Sequence, residues 1–434
     1  MDINVYDLKN LSKKEIDLML RRSELDIESF QDSVRPIIQN VRENGDLAIV
    51  EYCQKFDNVL IKNSDLKVTE EEFLKADRNL DPSIKEVIDI SAQNIKKFHQ
   101  AQLPDEMWFT QINEGILAGE KITPIASVGV YVPRGKGSFP SVMLMLCIPA
   151  VIAKVQNIIV CTPPTQQGTV DDASLYAAKT CGVKNIYKVG GAQAIAAMAF
   201  GTETVPKVQK VIGPGNVFVS AAKRLLYGYI DVGTPAGPSE SIILCDENSN
   251  PKNAALDLLI EAEHGPDSTA LLVTHSKELA DKVKTILPEY INELPDNRKE
   301  FCQTVLSNYG GIVLTPNLDA SIAFINDFAP EHLEILVKDP FLILPKIINA
   351  GEILLGEYTP ITIGNFSLGV NAILPTGGFA KTFSCVTVYD FLKRSSIGYL
   401  SKDGYNSIKD TAKKFAEYEG FPCHANAISK RQIR

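Results

Sequence analysis

Two short stretches hold residues whose types and spacing suit chemistry. In "IEAEHGPDS", Glu261 and His264 stand three apart near the end of a helical pattern, so both side chains leave one face. Carboxylate oxygen and imidazole nitrogen are donors that zinc accepts. The pair therefore reads either as two metal ligands or as a solvated face with a histidine favourably placed against the helix dipole. In "APEHLEI", Glu331 and His332 are adjacent after a proline. Neighbouring side chains of an extended segment point to opposite sides. That separates them as base and acid around a substrate rather than as co-ligands of one metal; a turn feeding a buried strand is the alternative.

The chain has five histidines: His99, His264, His275, His332 and His424. His99, on a polar helix, and His275, after the strand "ALLVT", read as structural. The other three stand at helix ends or beside Pro and Gly, where a scaffold holds a loop residue in place. A second Glu-x-x-His is missing, which excludes a di-iron carboxylate centre. The turns "VGGAQAIAA" and "VIGPGNVFVSAAKR" each run strand, tight turn, helix, and so present backbone N–H groups where phosphate binds. Neither is a full GxGxxG with a ribose-binding acid some twenty residues on. In "PAGPSES", Ser239 reads as an anion contact or as a turn cap.

The elements that must position these residues alternate. Through about residue 100, "KKEIDLMLRRS", "FQDSVRPIIQNVRENGDLAIVEYCQKF" and "PSIKEVIDISAQNIKKFHQ" show helical spacing. From about residue 123, "ASVGVYVP", "NIIVCTPP", "NIYKVG", "SESIILCD", "TALLVTH", "GGIVLTP", "EHLEILV" and "GEILLG" read as strands with helices between them. Such alternation predicts parallel, doubly wound α/β units. The stretch from "VTVYDFLKRSS" to "FPCHANAISKRQIR" reads as a separate helical tail. At 434 residues, two or three compact units are expected. A net charge of −9 argues against a nucleic-acid partner. "MDINVYDLKN" lacks a signal-peptide pattern, and "PSVMLMLCIPAVIAKV" is too short and too interrupted to cross a membrane. Eight cysteines without paired spacing predict reduced thiols in a cytoplasmic protein, Cys423 beside His424 included.

In order along the chain, "GVYVP", "KVGGAQAIAA", "GPGNVFVSAAKR", "PAGPSES", "EAEHGPDS", "FAPEHLEI", "NAILPTGG" and "EGFPCHANA" resemble the histidinol dehydrogenases, from about residue 30 to the end. The resemblance implies an NAD- and zinc-dependent, four-electron oxidation of a primary alcohol, through the aldehyde, to the carboxylate. It also implies an intertwined homodimer whose C-terminal tail reaches the partner's site. The fold implied is α/β, with two incomplete Rossmann-like domains between helical N- and C-terminal segments. Expected boundaries are 1–30 for the N-terminal segment, 31–125 with 240–380 for the first domain, 126–239 for the NAD-binding domain, and 381–434 for the tail. His332 is implied as general base and Glu331 as activator of water. Tyr131, Gln193 and Asn216 are implied as NAD contacts, and Ser239 and Glu419 as substrate contacts.

The zinc ligands implied are Glu261, His264, Asn365 and His424. The family usually has Gln, His, Asp and His there, so amide and acid have exchanged places and the formal charge of the set is unchanged. Ala372 stands after Asn371 where the family usually has histidine, and Arg134 and Lys136 add charge to the "YVPRGKG" loop. These departures leave a second substrate class open: another small polyol, or an anionic alcohol such as dihydroxypropanesulfonate. A non-catalytic relative is the remoter alternative.

Overall fold

The computed structural model describes residues 3–21, 27–134, 137–235 and 237–432, with the side chains of 27–29 left aside. Lys136 of the basic loop therefore lies outside the described residues. The strands run β1 (Val5–Asp7), β2 (Met107–Asn113), β3 (Ile116–Pro124), β4 (Ser127–Tyr131) and β5 (Asn157–Thr162). They continue with β6 (Ile186–Lys188), β7 (Lys210–Ile212), β8 (Glu240–Cys245) and β9 (Thr269–Thr274). The last four are β10 (Gly311–Leu314), β11 (His332–Ile335), β12 (Glu352–Leu355) and β13 (Leu392–Leu400).

Contacts divide the chain into two units, Met1–Gln102 with Ala126–Phe391, and Leu103–Ile125 with Leu392–Arg434. The first unit holds two wholly parallel sheets, ordered β1-β10-β9-β8-β11-β12 and β6-β5-β4-β7. Their strands are near-continuous apolar runs because both faces are covered; every residue of β8 and β9 is buried. In β11 the alternation divides the side chains between two buried faces. Leu333 and Ile335 join Phe324, Ile325 and Phe328 in a core on one face, which sends His332 and Glu334 to the other, beside the Pro251–Ala262 helix.

The Ile27–Asp57 helix packs on the Gly191–Phe200 and Val217–Leu226 helices. The alanines of "GAQAIAAMAF" leave a shallow surface for that approach. Where the sequence groups 31–125 with 240–380, helices from this segment thus lie on the layer built from 126–239. The three-residue β1 adds a parallel edge strand beside β10, within a segment expected to be helical.

The second unit is an antiparallel sheet, β13-β3-β2, with the Lys402–Tyr418 and Pro422–Ser429 helices. The tail thus opens on a strand before its helices, and the β2–β3 hairpin is an addition to what the sequence suggested. Every residue of β2 is exposed, so no in–out alternation marks it. Among the described residues, no helix is long and apolar enough to cross a membrane.

After β7, Gly213 has φ +128°, and a Cβ there would stand 2.1 Å from the Tyr131 carbonyl oxygen at the end of β4. Backbone against backbone leaves no flexible group to give way. Gly213→Ala is expected to cost about 1–3 kcal/mol of unfolding free energy in urea titrations; an unchanged midpoint contradicts this account of the turn.

Candidate active site

The Pro251–Ala262 helix starts under firm control. Pro251 takes the first helical position, and the Asn250 side chain accepts a hydrogen bond from Lys252 N. Asp257 and Glu261, one turn apart, are both buried. Across from them the parallel register sets His332 of β11 directly opposite Glu352 of β12. His332 Nδ1 lies 2.8 Å from Glu352 Oε2. Its Nε2 lies 3.9 Å from Glu261 Oε1 and 4.0 Å from Glu331 Oε1. Glu331 Oε2 accepts a hydrogen bond from the Glu240 backbone N–H, 2.8 Å away.

Glu331 and His332 thus converge, where strand alternation alone sets them apart. Glu331 precedes the strand, and its carboxylate turns back to the mouth of β8. His264, at the exposed rim, places Nδ1 2.5 Å from Glu261 Oε2 and 3.1 Å from Ser239 Oγ. The Asn365 amide reaches Glu261 Oε1 at 3.4 Å.

Charge is crowded in this dry layer. Burial opposes ionisation of Glu261, but His264 and His332 outweigh it and hold the carboxyl down at about 2. Burial pulls His332 down, while Glu261, the Glu352 hydrogen bond and Glu331 raise it to about 9. Burial, with Glu261 and Glu240 nearby, pushes Glu331 well above the carboxylate range, against the pull of His332. One turn deeper, burial and Asp257 push Glu334 up to about 10, and burial also raises Asp257.

Several acceptors remain unused. Glu261 Oε2, Asn365 Oδ1, Glu352 Oε1 and both Glu334 oxygens are buried without a hydrogen bond. Glu261 Oε2 meets His264 Nδ1 as an ion pair. Buried acceptors without a hydrogen bond are costly. Among the described residues, no three His, Cys, Asp or Glu side chains form a ready metal cage. The third donor beside Glu261 and His264 is an amide, Asn365, and two of the unused oxygens belong to this set. Oxygen and imidazole donors of this kind fit a divalent cation such as zinc.

The other sequence-derived residues are spread through the fold. Tyr131 ends β4, and its hydroxyl accepts a hydrogen bond from Gly191 N at 3.0 Å. Gln193 is buried in the first turn of the Gly191–Phe200 helix. Asn216 caps the Val217–Leu226 helix through Phe218 N and Val219 N. Arg134 is exposed and donates to the Pro164 carbonyl. Asn371 binds the Met145 carbonyl and buried His99, while His275 pairs with Glu247. Glu419 and His424 belong to the second unit, exposed at the end of one helix and within the next. Glu352, Glu240, Asp257 and Glu334 also line this layer, although no motif marks them in the sequence. Their signal was an acid inside an apolar run, as in "GEILLG", since unpaired acids are rarely buried.

The histidinol dehydrogenase family profile matches residues 20–432. A histidinol dehydrogenase of Synechocystis sp. is 50% identical, covering 99% of each chain. A histidinol dehydrogenase homolog of Colwellia psychrerythraea is 52% identical, over 98% of this chain and 96% of that one. The crystal structure of histidinol dehydrogenase from Elizabethkingia anophelis superposes with a TM-score of 0.93 at 33% identity, covering 98% of this chain and 97% of that one.

The buried acid pair sets a pH dependence. Glu334 keeps its proton up to about 10 when folded, whereas the unfolded chain ionises near ~4.3. Its contribution to stability is complete below that lower value and is lost as pH rises towards 10. Glu334→Gln should flatten the fall in melting temperature between pH 6 and 9 and stabilise the protein at the upper end. A slope identical to that of the parent rules this out.

Proposed function

The chain belongs to the histidinol dehydrogenase family, and on that premise we propose that it oxidises L-histidinol through the aldehyde to L-histidine with two NAD per turnover. The observation that carries the reading is His332, buried between Glu352, Glu261 and Glu331 with Nε2 turned to the latter two. A base held this way can take the proton of an alcohol or a hydrate. The balance is one alcohol and one water in, and one carboxylate, two hydrides and three protons out.

In the first half-reaction His332 Nε2 takes the hydroxyl proton while hydride leaves the carbinol carbon. In the second, Glu331 takes a proton from the water that adds to the aldehyde carbon. His332, having released its first proton to solvent, then deprotonates the hydrate as the second hydride leaves. NAD would supply the hydride acceptor. Its support is the turns that end β6 and β7 and open helices, beside Tyr131, Gln193 and Asn216.

Glu261, His264 and Asn365 would hold zinc, which supplies a template and Lewis acid for the alcohol oxygen. With the charge of Glu261 taken up by a cation, His332 loses the largest of the influences that raise it, and Glu331 loses one of those that keep it protonated. That lowers His332 towards the range where its Nε2 takes up a proton. By resemblance, His424 is the fourth ligand, Ser239 and Glu419 contact substrate, and the enzyme is a homodimer. A second reading, a paralogue acting on another polyol or an anionic alcohol, is favoured by the Glu261–Asn365 exchange and by Ala372.

The test is NADH formation from L-histidinol and a panel of neutral and anionic diols. Two NADH per histidinol are expected. NADH from a diol alone establishes the second reading, and no NADH from any alcohol overturns both. His332→Asn should lower turnover by ~10²–10⁴ with NAD affinity retained; unchanged turnover removes His332 from the chemistry.

A further inference from the structure

We propose that Glu352 is a positioning residue for His332, fixing the imidazole as its Nδ1–H tautomer so that Nε2 faces Glu261 and Glu331. The inference rests on His332 being the base. Glu352 begins β12, opposite His332 in the parallel register, and its backbone N–H donates to the Glu331 carbonyl at 2.9 Å. One strand pairing therefore sets the height of Glu352, His332 and Glu331 together. The Glu352 side chain is 5% exposed, that of His332 4%.

The carboxylate has a single hydrogen-bonding anchor in this layer. Oε2 meets His332 Nδ1 at 2.8 Å, while Oε1 is buried without a hydrogen bond. Room for it is built into the next element. At Gly364, within the Ile361–Phe366 helix, a Cβ would come 2.9 Å from Glu352 Oε1. A buried carboxylate with one partner is an expensive way to stabilise a strand, and an apolar residue would serve better there. Its use is orientation. A carboxylate accepts but cannot donate, so the proton must sit on Nδ1, and the lone pair needed by a base must sit on Nε2. The bond also prevents ring rotation, which would exchange the two nitrogens.

Metal-loaded protein carrying Glu352→Gln, nearly isosteric, and Glu352→Ala should each lose kcat by ~10–100-fold. KM for the alcohol and for NAD should move much less, and far-UV spectra and melting should stay close to the parent's. Nitrogen-15 spectra of metal-loaded, histidine-labelled protein, recorded above the pH at which His332 becomes neutral and with His332 assigned by its loss in His332→Asn, should show the Nδ1–H pattern in the parent and a shift towards the Nε2–H form in Glu352→Ala. Parental kcat in both variants, or an unchanged His332 tautomer in Glu352→Ala, overturns the proposal. If His332→Asn itself turns over normally, the underlying reading of the base fails instead, so the two failures are distinguishable.

Discussion

A histidine surrounded by carboxylates inside a dry layer is the constraint on which the rest of this structure depends. His332 stands within 4.0 Å of oxygens from Glu261, Glu331 and Glu352, and the Asp257–Glu334 pair lies behind. Ions in low dielectric attract strongly, yet each pays heavily in lost hydration. The layer limits that cost by keeping protons on Glu334 and Glu331 and by raising the two histidines. Buried acceptors without a hydrogen bond remain on Glu261, Asn365, Glu352 and Glu334, and those of Glu261 and Asn365 belong to the donor set that suits a cation.

The scaffold holds such a cluster because its geometry comes from backbone pairing. Parallel register puts Glu352 opposite His332 and Ser241 of β8 on its other flank. The apolar face of β11, packed on Phe324 and Phe328, prevents a slip of one residue, which would bury the opposite set. The Pro251–Ala262 helix, capped at its start and packed through Ala254, Ala255 and Leu258, fixes Asp257 and Glu261 in height. The cluster thus lies where β8, β11 and β12 begin, while Tyr131, Gln193 and Asn216 stand where β4, β6 and β7 finish. Carboxyl ends of parallel strands are the usual cofactor crevice; in the six-stranded sheet the opposite edge carries the acids.

Much of this was legible in the sequence where local spacing carries the information. The alternation after residue 123 predicts two parallel sheets, and Glu261 with His264 follows from one helical turn. The convergence of Glu331 on His332 was not legible, because alternation describes residues inside a strand and Glu331 lies just before it. Glu352 was hidden for another reason: its partner is 20 residues away and is chosen by strand register. The β2–β3 hairpin, exposed along β2, had no buried face to announce it.

The most direct measurement is anomalous diffraction at the zinc edge from crystals of the zinc-loaded protein. One strong peak is expected about 2.0–2.2 Å from a Glu261 carboxylate oxygen, a His264 nitrogen and Asn365 Oδ1. A zinc-replete crystal with no density at that position, or with its peak elsewhere, contradicts that ligand set.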